Sequence, residues 1–186
     1  MSRFTIEPLM PGGPARVTRK PIGDARGSFA RLFCADELAK AGWSGPVAQT
    51  NLSITSQRGT VRGMHFQRPP HGETKLVLCL AGAVWDAAVD IRAGSRTRLA
   101  HVAAELSAEN GTAMLIPPGF AHGFQTLTDD VQLLYFHSTS HTPGAEGGLD
   151  PLDPALALAW PLEPTVISDR DRRWPPITGD FEGVFV

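Results

Sequence analysis

The segment Gly59-Thr60-Val61-Arg62-Gly63-Met64-His65-Phe66-Gln67 carries an arginine and a histidine, and Lys75 follows ten residues after the histidine. A further histidine, His122, arrives within Ile116-Pro117-Pro118-Gly119-Phe120-Ala121-His122-Gly123-Phe124. Fixed cations beside titratable imidazoles suit a pocket that holds an anionic substrate and moves protons. An ammonium at Lys75 would stabilise an enolate as its charge develops beside a carbonyl. Tyr135, the single tyrosine of the chain, supplies a phenol able to deliver a proton across such a pocket. In Ser168-Asp169-Arg170-Asp171, two carboxylates are available to fix the tautomer of His65, and spacing does not choose between them. Plain structural roles compete with each of these: a hydrogen-bonded strand histidine, a solvated lysine at a strand end, a core aromatic, a solvated turn.

A metal site is the rival constellation. Gly111 and Pro117-Pro118-Gly119-Phe120-Ala121-His122 have the form of the second cupin motif, whose histidine often ligates a metal. His65, His71 and Glu73 would then complete a set of three histidines and one carboxylate. The spacing argues against it. Metal cupins usually place two histidines one residue apart, whereas the residue two after His65 is Gln67. The ammonium of Lys75 would also be a poor neighbour for a divalent cation.

The elements that must position these groups read as strands. With 19 Gly and 16 Pro in 186 residues, short strands and many turns are favoured over long helices. A strand over residues 47–54 places Gln49, Asn51 and Ser53 on one face. The run Leu76–Leu80 is almost wholly apolar and reads as a central strand, with Lys75 sharing the parity of Val77 and Cys79. Residues 84–91 put Asp86 and Asp90 on one face and Trp85, Ala87, Val89 and Ile91 on the other. Further strands are expected over 98–106, 112–116, 121–127 and 131–138, and at most one within residues 1–9. A strict strand would turn Arg62 and His65 to opposite faces, and a bulge at Gly63 would bring both inward.

Helix is limited to residues 35–41, ending at Gly42, and to a short turn at 154–159. This pattern predicts an all-β fold, a cupin-type jelly-roll β-barrel with a few short peripheral helices, in a single domain over residues 1–186. The irregular C-terminal tail, residues 142–186, is expected to pack on the outside of the barrel and return near its mouth.

Composition narrows the function classes. A net charge of −2 argues against a nucleic-acid partner, which requires a basic surface. Cys34 and Cys79 are too few and too isolated for a disulfide framework and read as buried free thiols. No apolar run reaches membrane-spanning length and no leader is evident, so a cytoplasmic protein without a membrane partner is expected.

Taken in order along the chain, these motifs resemble the dTDP-4-dehydrorhamnose 3,5-epimerase family. Asp24-Ala25-Arg26-Gly27-Ser28-Phe29, Gln49-Thr50-Asn51, Gly59 to Gln67 and Lys75-Leu76-Val77 carry the first part of the match. Val84 to Arg92, Gly119 to Phe124, Asp150-Pro151, Trp160-Pro161 and Ser168 to Asp171 carry the rest, spanning about residues 4–172. The resemblance implies a metal-free cupin jelly roll, usually a homodimer with an exchanged N-terminal strand. It places the base on His65 with Asp171 as its partner, the acid on Tyr135, and pocket cations on Arg62 and Lys75, with His122 and Asp86 nearby. Arg26 and Phe29 match a stretch that contacts the nucleotide diphosphate, and Gln49 and Asn51 match positions that contact sugar or phosphate.

The implied reaction is inversion at C3 and C5 of a nucleotide-linked 4-keto-6-deoxyglucose. No cofactor is required, in keeping with the lack of a Gly-rich dinucleotide loop. The chain departs from the family pattern in three places. His141 replaces a second tyrosine, Arg98-Leu99 replaces a Phe-Gly pair, and Arg31 stands at a commonly acidic position. These departures are expected to touch the recognition shell and leave open an enzyme that inverts only one centre. A metal-dependent cupin enzyme and a non-catalytic sugar-binding cupin are the other readings of the same residues.

Overall fold

In the computed structural model, which describes residues 2–186, thirteen strands build two packed sheets and one small hairpin. In chain order they are β1 (Phe4–Pro8), β2 (Ala15–Arg19), β3 (Ile22–Asp24), β4 (Gly27–Phe29), β5 (Gln49–Thr55), β6 (Val61–Gln67) and β7 (Lys75–Ala81). Then follow β8 (Ala83–Asp90), β9 (His101–Ser107), β10 (Thr112–Ile116), β11 (Phe120–Thr126), β12 (Val131–His137) and β13 (Glu146–Gly148). One sheet runs β1-β2-β10-β7-β12-β5, and the facing sheet runs β13-β6-β11-β8-β9. This is a cupin-like jelly roll.

The apolar runs of the central strands follow from burial on both faces. Val77, Cys79, Met114 and Leu133 of the first sheet meet Val84, Ala88, Leu106 and Phe124 of the second in the core between them. The outer face of the first sheet, with Leu76, Leu78 and Leu115, is covered by Leu38 and Trp43 from the segment before β5. The outer face of the second, with Met64, Ala87, Val89 and Ile91, lies under Leu149, Leu156, Trp160 and Phe181 of the tail. A strand covered on both sides loses its polar alternation, and each buried Leu or Val contributes about 1.5–3 kcal/mol.

Most expected strands are present, with shifted ends. The strand expected from residue 98 starts only at His101. Ser95–Ala100 is held in turns, with Thr97 Oγ1 donating to Asp90 Oδ2 at 2.6 Å and the Ala100 N–H to the Thr97 carbonyl at 2.8 Å. The expected N-terminal strand is β1; Met1 lies outside the described residues. The helix expected over 35–41 divides into α1 (Ala35–Leu38) and a 3-10 turn that ends on left-handed Gly42. At 154–159 only a 3-10 turn, Pro154–Leu156, forms. Not foreseen were β2, the hairpin β3–β4, β13 and a single helical turn, α2 (Asp169–Arg172). Cys34 and Cys79 are free, the second fully buried and the first only partly. Among the described residues, no helix is long and apolar enough to cross a membrane.

Candidate active site

A cavity of about 400 Å³ opens between the two sheets. His65, Arg62 and His122 enter it from the β6–β11 side, and Tyr135, Lys75, Gln49 and Asn51 from the β5–β12–β7 side. His65 and Tyr135 therefore reach one cavity from opposite sheets.

Two glycines make the β6 wall. His65 pairs with His122 across β6 and β11, but the next partners are Arg62 and Phe124, so β6 carries one extra residue there. The extra residue is a bulge, and it brings Arg62 and His65 onto the cavity side despite their opposite parity. Gly63 has φ 135°, and a Cβ on it would sit 2.5 Å from the Cα of Gly123. A Cβ on Gly123 would in turn meet the Arg62 carbonyl at 2.8 Å. Only paired glycines allow this approach.

Asp171 stands behind His65. Ser168 caps α2, its hydroxyl accepting the Asp171 N–H at 3.1 Å, and the single helical turn faces Asp171 inward. Asp171 Oδ1 lies 2.7 Å from His65 Nε2, and Oδ2 accepts the Gly63 N–H at 3.3 Å. Burial alone would raise this carboxyl. The hydrogen bond and charge of His65, with the Gly63 and Ser168 contacts, outweigh it and hold Asp171 below the ordinary carboxylate range. An ionised Asp171 has no proton to give, so Nε2 carries a hydrogen, and in the neutral ring Nδ1 is the nitrogen with the lone pair. Asp169, the other aspartate of the segment, is exposed and faces Arg173 at 3.4 Å.

Tyr135 is flanked by imidazoles. His137 stacks on its ring at 5.9 Å, and His122 meets it edge-on at 6.0 Å. Burial pushes the Tyr135 phenol well above its ordinary value, the charge of Asp86 adds to this, and Arg62 opposes it. The phenol is consequently protonated at neutral pH, the state an acid needs. Lys75 is only 11% exposed and sits 3.1 Å from Glu73 Oε1.

The remaining expected residues divide by position. His141 lines the open end of the cavity, its ring 3.7 Å from Glu146, a residue that also pairs with Arg170. Asp86 does not line the cavity. It is fully buried behind His122, with Oδ1 2.8 Å from His122 Nε2, so it can orient that ring but cannot touch a ligand. Burial raises the Asp86 carboxyl, against the pull of His122.

Arg26 and Phe29 also lie outside the cavity of this chain. They project from the β3–β4 hairpin, where Arg26 pairs with Asp24 and Phe29 is 72% exposed. Arg98 and Leu99 occupy the turn before β9, where Leu99 packs under the tail, and Arg31 pairs with Glu37. Of the three departures from the family pattern, only His141 reaches the cavity.

The metal constellation is dispersed in other pairings. Glu73 bonds Lys75 and His137, His122 bonds Asp86, and His71 lies beside Thr142. Among the described residues no three His, Cys, Asp or Glu side chains come together in a way that would hold an ion. Sequence reasoning missed His137 and Glu146. The first was legible, because it shares the parity of Tyr135 on β12.

The family model for dTDP-4-dehydrorhamnose 3,5-epimerase matches residues 12–178. The chain belongs to this family. It is 41% identical over 159 residues to a dTDP-4-dehydrorhamnose 3,5-epimerase of Sinorhizobium fredii, covering 85% of this chain and 82% of that one. A dTDP-4-dehydrorhamnose 3-epimerase of Streptomyces niveus is 38% identical over 168 residues, covering 90% and 81%. The crystal structure of the Legionella pneumophila dTDP-6-deoxy-D-glucose-3,5-epimerase in complex with dTDP-4-keto-L-rhamnose superposes with a TM-score of 0.88. It is 34% identical and covers 98% of this chain and 99% of that chain. The protein is thus an isomerase of the epimerase class.

Proposed function

We propose that this epimerase inverts C3 and C5 of dTDP-4-dehydro-6-deoxy-D-glucose, giving dTDP-4-dehydro-L-rhamnose, by acid–base chemistry of its own side chains. The observation that carries the reading is the placement of His65 and Tyr135 on opposite sheets around one cavity. The 4-ketone acidifies the hydrogens on C3 and C5. His65 Nδ1 takes one of them, and the imidazolium that forms is stabilised by Asp171 at 2.7 Å. Lys75 holds the enolate oxygen, a preorganised charge in a shielded site. Tyr135 gives its proton to the opposite face, so the centre inverts. No cofactor enters, and the pairings of Glu73, His122 and His71 favour a reaction without a metal ligand set.

The dTDP portion would extend past Gln49, Asn51 and His141 at the open end. Arg26 and Phe29 are exposed and line no part of the cavity of their own chain, which suits a contribution to nucleotide binding in a second copy of the chain. We therefore read the enzyme as a homodimer. The edge strand β5, with Leu52 53% and Ile54 59% exposed, offers an apolar surface for that contact. In the single chain β1 pairs with β2, and an exchanged N-terminal strand would replace this pairing by its equivalent from the partner. Nucleic acid and membrane are not partners in this reading, and the cytoplasm is its compartment.

A second reading, inversion of one centre alone, is supported by the 3-epimerase among the relatives. Proton NMR in deuterated water with dTDP-4-keto-6-deoxyglucose separates the two. Deuterium at both C3 and C5 with inverted couplings supports double inversion, deuterium at one centre supports the second reading, and no uptake rejects both.

A further inference from the structure

Five polar residues of the cavity wall form one continuous hydrogen-bonded row across β7, β12 and β5. Lys75 Nζ lies 3.1 Å from Glu73 Oε1, and Glu73 Oε2 lies 2.8 Å from His137 Nδ1. His137 Nε2 lies 3.4 Å from Asn51 Nδ2, Asn51 Oδ1 accepts from Gln49 Nε2 at 3.1 Å, and Gln49 Oε1 accepts the backbone N–H of His141 at 3.0 Å. The strand register produces the row. His137 stands opposite Lys75 on one side and opposite Gln49 on the other.

The row has one polarity, set at its buried end. Glu73 is 8% exposed, His137 12% and Lys75 11%, against 49% for the His141 side chain at the open end. Burial alone would raise the Glu73 carboxyl, but the His137 hydrogen bond and the Lys75 charge hold it below the ordinary range. The ionised carboxylate can only accept, so His137 must carry its hydrogen on Nδ1. In the neutral ring Nε2 is then an acceptor, which suits the Asn51 amide nitrogen that faces it and leaves the Asn51 oxygen toward Gln49. Gln49 in turn must present its oxygen to His141. One carboxylate thus fixes the Lys75 ammonium and the orientation of two amides at the cavity mouth.

We propose that Glu73 and His137 are positioning residues of the epimerase reaction, Glu73 acting through Lys75 and His137 acting through Asn51 and Gln49. This rests on the reading of His65, Lys75 and Tyr135 given above. The two residues make different demands on the kinetics. Lys75 acts on the charge of the reacting enolate, so loosening it lowers kcat. Asn51 and Gln49 act on the bound substrate alike in ground and transition states, so misorienting them raises KM.

The test is deuterium uptake from solvent into dTDP-4-keto-6-deoxyglucose, with kcat and KM measured separately for four variants. Glu73→Gln should lower kcat about tenfold, the size of one charge-assisted hydrogen bond, and raise KM no more than His137→Phe does, since both end the row at the same place. In a Lys75→Met background, followed over hours, the same substitution should change kcat by less than about twofold, because its target is gone. His137→Phe keeps the ring stacked on Tyr135 but ends the row, and should raise KM about fivefold, as expected for one neutral hydrogen bond.

An unchanged kcat in Glu73→Gln, or an equal loss in both backgrounds, overturns the role of Glu73. If Glu73→Gln does not fold, His137→Phe decides alone, and an unchanged KM overturns the proposal. Wild-type protein without any deuterium uptake rejects the underlying reaction instead, which is a distinct result.

Discussion

Replacing Asp171 by Asn tests the proposed His65–Asp171 dyad with the least disturbance to the fold. The side chain keeps its size, the Ser168 hydroxyl still caps α2 through the backbone N–H of residue 171, and the amide oxygen can still accept the Gly63 N–H. What is lost is the charge 2.7 Å from His65 Nε2. A hydrogen bond to a charged partner is worth about 1.5–3 kcal/mol, which corresponds to about 10- to 150-fold in rate. The upper end is expected. An Asn amide can donate to Nε2, which would move the ring hydrogen to Nδ1, the nitrogen proposed to take the substrate proton. Deuterium uptake by the 4-keto sugar nucleotide should therefore fall about 10²-fold in kcat.

The same variant reports on stability. A carboxyl held below its unfolded value stabilises the fold above the unfolded pKa, and this is lost as pH falls through the folded one. The stability difference between wild type and Asp171→Asn, measured by urea unfolding, should thus be full at neutral pH. It should shrink progressively below about pH 4, the ordinary aspartate range. A kcat within threefold of wild type would refute the dyad, and a stability gap independent of pH would refute the depressed carboxyl.

Because Tyr135 is the only tyrosine, its ionisation can be followed by absorbance at 295 nm without assignment. The folded protein should show no tyrosinate signal through about pH 10, where a free phenol is half ionised, and a midpoint at or below 10 would contradict the raised phenol. A raised phenol also means that stability falls as pH rises above the unfolded value, so alkaline unfolding should be less steep in Tyr135→Phe. Gly63→Ala should destabilise the fold by about 1–3 kcal/mol, from a strained backbone and a clash with Gly123, and should cost activity as Arg62 and His65 shift. A thermal melt with activity equal to wild type would show that the bulge is dispensable.

Much of this arrangement could be read from residue order. Alternation located β5 and the Asp86 face of β8, and the apolar run at Leu76–Leu80 identified a strand buried on both sides. The bulge at Gly63 was inferable from the need to turn Arg62 and His65 the same way, and the register across β6 and β11 contains it. Other features depend on contacts distant in sequence. Asp171 reaches His65 only because the tail crosses the second sheet and returns, 106 residues later in the chain. Short elements such as β13 and α2 have too few residues to show a period and exist by pairing with or packing on β6. Asp86 illustrates the limit of parity, which gives the face of a strand but not the depth: the residue points inward and stays beneath His122.

Deuterium uptake at C3 and C5 by His65→Ala and Tyr135→Phe, each compared with wild type on the same 4-keto sugar nucleotide, tests the acid–base pair most directly. The expected result is a loss of about 10²-fold or more in each variant, the usual contribution of one positioned acid or base. Uptake retained in both variants at the wild-type rate would contradict it.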